Sequence, residues 1–289
     1  MGGGVFYLMK ISTAVRRYVE EYLEIKGVGK NQIIHYKALG RFWCEIMGDI
    51  DIESITLGDV SEFRAKFQTF GRHRCNNTIH NYICDLRMVL RYWKRRGLDV
   101  LDYTIIPAPR KDPVIPAFLT AEEVDKMIAS TDIIRTKFII SLLYASGVRV
   151  SELVQLNRDT IKDGMFTVIG KGRKPRICFT DARSEFYMEK YLSARKDRLD
   201  ALIITKDGTR ASASTIQLVI RNATEKAGLQ KKVSPHTLRH SFATNYVSNG
   251  GNIRHLADLL GHVSLNTTAH YTHIVNRDLM REYQSFHTY

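Results

Sequence analysis

Four short stretches in the last two-thirds of the chain combine cationic and polar side chains with glycines. They are residues 146–153, containing Arg149 and Glu152; residues 170–172, centred on Lys171; residues 236–240, with His236 and Arg239; and residues 261–264, with His262. Tyr271 follows nine residues after His262. Together they offer two guanidiniums, an amine, imidazoles and a phenol, without a group of carboxylates that would hold magnesium. That inventory fits phosphoryl transfer without a metal, in which side-chain donors neutralise charge on the equatorial oxygens. No H-E-x-x-H or Cys/His spacing points to zinc, and no cofactor motif is present.

Each residue also has a plain structural reading. Tyr271 is one of 14 tyrosines, most of which serve cores or surfaces. Arg149 and Glu152, three apart, could form an ordinary helical ion pair, which is compatible with either role. Lys171 stands in a charge run with Arg173, Lys174 and Arg176, so Lys174 is an alternative for whatever Lys171 does. His240, His255, His270 and His273 read as capping, core or surface histidines.

The 289 residues carry 43 Lys plus Arg against 30 Asp plus Glu, a net charge of +13. Both parts are basic: residues 1–105 hold 16 basic and 12 acidic groups, residues 106–289 hold 27 and 18. An acidic polymer gripped from two sides would need that distribution. Hydrophobic content of 44% suits a globular chain, and no apolar run approaches the length of a membrane span. The four cysteines lack paired spacing, and residues 1–10 do not read as a signal peptide, so a reducing, cytoplasmic setting at the nucleoid is expected. Met9 is a second candidate start, which would make the Gly-rich leader extraneous.

The elements that must position these groups follow from periodicity. Pro107, Pro109, Pro113 and Pro116 mark residues 106–118 as an extended linker between two domains. Before it, apolar residues at helical spacing predict a four-helix bundle over residues 1–105, with Thr56 as an N-cap. The last helix ends in Lys94, Arg95 and Arg96 followed by Gly97, cations that suit a helix C-terminus or phosphate contacts equally well. After the linker, Thr120 and Glu123 form a capping box with Leu119 and Val124 as its staple. Helices are predicted over 138–144 and 150–156, and a hairpin over 166–179 around the Gly-rich residues 170–175. Residues 202–204 are a further short strand candidate, and the rest of the second domain is helical. The fold class is mainly α with a small antiparallel β-sheet in the C-terminal domain.

Over residues 118–275 the motifs and their order resemble the tyrosine recombinase family, which includes phage integrases and Xer recombinases. The resemblance implies a two-domain DNA clamp: a helical, SAM-like core-binding domain at 1–105, a catalytic domain at 119–275, and a tail at 276–289 that docks on a neighbouring protomer. It implies a site-specific recombinase, independent of metal and ATP, in which Tyr271 attacks a DNA phosphodiester to form a 3′-phosphotyrosine. Arg149 and Arg239 would clamp the non-bridging oxygens, His236 would accept the phenolic proton, His262 would add a donor, and Lys171 would protonate the leaving 5′-oxygen. Glu152 would orient Arg149, and Lys94, Arg95, Arg96, Arg173 and Lys174 are candidate DNA contacts. The implied partners are double-stranded DNA, three further copies in a tetrameric synapse, and an accessory DNA-binding protein. A type IB topoisomerase-like nicking and resealing enzyme and a non-catalytic DNA-binding regulator are the alternatives. The tail speaks for recombination, and the complete polar set speaks against a mere binder.

Overall fold

The structure, a computed structural model, describes residues 9–112, 117–170 and 174–261. The chain forms two compact units, dividing between residues 114 and 115.

In the first unit, α1 (Ile11–Tyr18) buries Ile11, Ala14, Val15 and Tyr18, the spacing of one helical face. A π-helical stretch, Val19–Glu24, extends it. Then come α2 (Lys30–Met47), α3 (Leu57–Thr69) and α4 (Asn76–Lys94). Thr56 caps α3 as its sequence predicts: its hydroxyl accepts from Asp59 N–H while the Asp59 carboxylate accepts from Thr56 N–H. The core is aromatic, with Trp43, Phe63 and Phe67 fully buried and stacked in series at 4.7 and 5.2 Å. Each such ring removed from water contributes about 1.5–3 kcal/mol. Residues 106–112, expected as the start of the linker, are anchored on α4. Ile106 is buried, the Pro109 carbonyl meets His80 Nδ1 at 2.6 Å, and the Asp112 carbonyl accepts from Asn77.

The second unit is built around α6 (Ile134–Ser146), which buries residues on every side because α5 (Ala121–Ala129), α8 (Ala182–Ser193), α9 (Ala213–Lys226) and α10 (Pro235–Ser248) all pack on it. α5 starts at the expected capping box of Thr120 and Glu123, with Leu119 and Val124 both buried. A two-stranded antiparallel hairpin, β1 (Met165–Ile169) and β2 (Pro175–Phe179), pairs Phe166 with Cys178 and Val168 with Arg176 on its buried face. A final helix, α11 (Ile253–Leu260), packs on α10 through Leu256 and Leu260.

Two expectations are corrected. The helix predicted over 150–156 stops early, as α7 (Val150–Leu153). Val154 N–H still reaches the Val150 carbonyl, but those of Gln155 and Leu156 bond three residues back, to Glu152 and Leu153, so the last turn tightens and ends; Leu202 N–H and Arg210 Nη1 then hold the Leu156 carbonyl. Leu202 and Ile203 are buried and Ile204 half-buried, but the three form no strand; Ala201 and Ile204 make only isolated bridges, to Asn157 and Arg210. The apolar run there fills the core without a ladder to join.

Candidate active site

Gly147 sets the geometry. It closes α6 in the left-handed region (φ 59°), and a Cβ there would lie 2.5 Å from Phe242 Cδ1, so only glycine fits both the turn and the packing. The chain turns back at once and Arg149 becomes the N-cap of α7. Its backbone N–H donates to Glu152 Oε2 at 2.7 Å and its Nη1 to Oε1 at 2.9 Å. The side chain remains one-quarter exposed.

Arg239 comes to the same place from α10. Ser234 and Thr237 cap that helix reciprocally and Pro235 opens it, so His236 and Arg239 stand one turn apart near its start. His236 is exposed. Arg239 is buried; its Nη1 donates to the Gly147 carbonyl and its Nη2 to the Leu260 carbonyl, both at 2.5 Å. It therefore joins the end of α6, just before Arg149, to the end of α11, just before His262. Gly261 ends α11 in the left-handed region (φ 62°), and its carbonyl lies 3.5 Å from Arg149 Nη2. Arg149, Glu152, Arg239 and Gly261, spread over 112 positions, thus form one cluster.

The sequence gives no hint of the member that completes it. Arg176 on β2 is buried, and its Nη1 and Nη2 donate to Glu152 Oε1 and Oε2 at 2.8 and 2.5 Å, while Nε donates to the Leu259 carbonyl at 2.9 Å. Burial pushes the Glu152 carboxyl up, but hydrogen bonds from Arg176 and from the backbone and side chain of Arg149 outweigh it and hold the group at about 2. The carboxylate is therefore ionised at neutral pH. The hydrophobic pattern hides Arg176, since Ile177 and Phe179 are the residues that alternation would turn inward, yet these face solvent while Arg176 and Cys178 face the core.

Of the other expected residues, Lys171, Arg173, His262 and Tyr271 lie outside the described residues. Lys174 is exposed, and its carbonyl accepts from Gly170 N–H at 2.9 Å, closing the described base of the hairpin. At the end of α4, Lys94 pairs with Asp102 and Arg96 with Glu21, while Arg95 is exposed and unpaired among the described residues. No group of three or more metal-ligating side chains occurs among the described residues. None of their helices is long and apolar enough to cross a membrane.

The cluster therefore concentrates positive charge in a partly dry setting, with one arginine, Arg149, partly open to solvent. The family model described as the phage integrase family matches residues 117–277. The chain is 32% identical to the tyrosine recombinase XerD of Oceanobacillus iheyensis over 280 residues, covering 91% of this chain and 94% of that protein. It is 34% identical to the tyrosine recombinase XerA of Pyrococcus horikoshii over 265 residues, 89% and 88% of the two. Among solved structures, one of a lambda integrase dimer bound to a COC′ core site shares the fold, with a TM-score of 0.77 at 19% identity over 91% of this chain and 77% of that one. Matches of this identity and extent mean that the chain belongs to the phage integrase family of site-specific tyrosine recombinases.

Proposed function

We propose that this recombinase cuts and rejoins duplex DNA through Tyr271. The observation that carries the reading is the convergence of Arg149 and Arg239 on the Gly147 and Gly261 turns, with Glu152 and Arg176 behind them. Three arginines against one carboxylate leave two positive charges at the site. A phosphodiester under attack gains negative charge on its non-bridging oxygens, and fixed guanidiniums stabilise that charge better than lysines because their forks match it in two places.

In this reading the Tyr271 oxygen attacks phosphorus and its proton passes to His236. The bond from phosphorus to the 5′-oxygen breaks, and Lys171 supplies that oxygen's proton. His262 donates to the same phosphate. The phosphotyrosine conserves the energy of the diester, so the 5′-hydroxyl of another strand reverses the step on a new partner without ATP. Duplex DNA, a tetramer on two paired sites and an accessory DNA-binding protein belong to the same proposal, as do the tail's exchange between protomers and a place of action at the nucleoid.

The test uses nicked duplexes tiling the DNA that flanks the protein's own gene, incubated with the protein in EDTA and resolved on a denaturing gel. A covalent adduct formed by the native protein and absent from Tyr271→Phe is the expected result. An adduct that persists in the variant would refute the assignment of the nucleophile, and cleavage abolished by chelation would point to a metal nuclease.

A further inference from the structure

We infer that Arg176 is a positioning residue for DNA cleavage, acting through Glu152 to keep Arg149 positively charged in effect and aimed at the phosphate. This rests on the reading that Arg149 clamps the scissile phosphate.

An isolated pair of Arg149 and Glu152 would be neutral and turned inward, because a buried carboxylate would claim the guanidinium for itself. Arg176 removes that claim. Its fork covers both carboxylate oxygens, so the four bonds to Glu152 come from Arg176 twice, from the Arg149 backbone once and from the Arg149 side chain once. A carboxylate has about four acceptor positions, and all are used. The Arg149 side chain is left tied to Glu152 by Nη1 alone and stays partly exposed.

Geometry makes the same point independently. Through Nε, Arg176 also holds the Leu259 carbonyl in the last turn of α11. One side chain thus joins the hairpin, the Arg149 segment and the helix that leads into Gly261. The space it occupies is provided by two glycines: a Cβ on Gly261 would sit 2.9 Å from Arg176 Cδ, and one on Gly170 would sit 3.2 Å from its Nη1. Glycines in two of the four chemical stretches make room for the same arginine. A lysine could keep the charge but not three directed bonds from a planar group.

The test compares the native protein, Tyr271→Phe and Arg176→Lys in single-turnover cleavage of a nicked duplex that yields the adduct, with DNA affinity and melting temperature measured alongside. Arg176→Lys is expected to fold, to bind DNA like the native protein, and to cleave about 10- to 100-fold more slowly, the scale of a misplaced catalytic group. The deciding readout is a duplex with methylphosphonate at the scissile position, whose neutral linkage no longer needs Arg149's charge. Most of the rate gap should close there. A gap that persists on methylphosphonate but closes with a 5′-bridging sulfur, which leaves without a proton, would overturn the proposal and place the effect in the hairpin's leaving-group chemistry. Equal cleavage by Arg176→Lys and native protein would overturn it while leaving the function intact, whereas no Tyr271-dependent adduct from native protein would overturn the functional reading and this one together. Should Arg176→Lys fail to fold, Arg176→Gln is the second variant; unfolding of both would make Arg176 a folding residue and refute the proposal.

Discussion

Arg176 and Glu152, 24 positions apart, form a buried two-point ion pair at 2.8 and 2.5 Å, each side chain only 6% exposed. Breaking such a pair from one side is costly because it leaves a charge stranded away from water, on the order of 3–5 kcal/mol. The pair therefore makes the second unit sensitive to acid.

The sign follows from the shift. Glu152 is held at about 2, below its ordinary 4.5. A carboxyl whose folded value is depressed contributes stability that is complete above its unfolded value and is lost as pH falls through the folded one. Urea unfolding of the native protein should therefore show a stability loss between about pH 4.5 and 2 that is smaller in Glu152→Gln, which starts less stable at neutral pH. Parallel pH profiles for the two proteins would contradict the assignment.

Gly147→Ala tests the turn that aims Arg149. Alanine would have to adopt the left-handed backbone and force Phe242 aside, so a loss of about 2–3 kcal/mol in urea unfolding is expected. Because the Gly147 carbonyl also receives Arg239 Nη1, adduct formation should fall further than DNA binding. Native stability in the variant would show that the turn relaxes without cost.

The parts of this site that were legible in the sequence are those encoded locally. The N-cap at Thr56, the capping box at Thr120 and the contact of Arg149 with Glu152 are set by residues within three positions of one another, so spacing alone announces them. The hairpin was legible from its Gly-rich centre, and its strands begin within a residue of where the apolar runs do. Arg176 was not, because its partner is 24 positions away and the more apolar Ile177 and Phe179 argue for the opposite face. Electrostatic pairing at the site overrides the strand's own pattern. The same blindness to distant partners made residues 202–204 look like a strand, and apolar spacing alone carried the 150–156 helix past Leu153, where the turn tightens to bonds three residues back.

Deletion of residues 276–289 tests the tail. Leu279, Met280, Tyr283 and Phe286 recur at helical spacing, a pattern that predicts a helix with an apolar face. If the face docks on a neighbouring protomer, the truncated protein should bind a single duplex with native affinity in a mobility-shift assay. It should fail to pair two duplexes and to exchange strands. Recombination at the native rate would rule the docking out.

Arg95 separates phosphate contacts from structural cations at the end of α4. Lys94 is engaged by Asp102 at 3.5 Å, and Arg96 by Glu21 at 2.6 Å and by the Tyr92 ring, whereas Arg95 is exposed without an ion pair among the described residues. A cation that contacts a DNA phosphate releases about one counterion, so Arg95→Ala should make the slope of log affinity against log salt shallower by about 1 while leaving stability unchanged. Arg96→Ala should instead lower stability slightly, since it removes an exposed pair and the Tyr92 ring contact. Its direct effect on the salt slope should be smaller, because Glu21 already neutralises much of its charge. The two variants, titrated with one duplex at several salt concentrations, decide whether α4 meets DNA through Arg95; identical slopes in native protein and Arg95→Ala would remove this end of the helix from the interface.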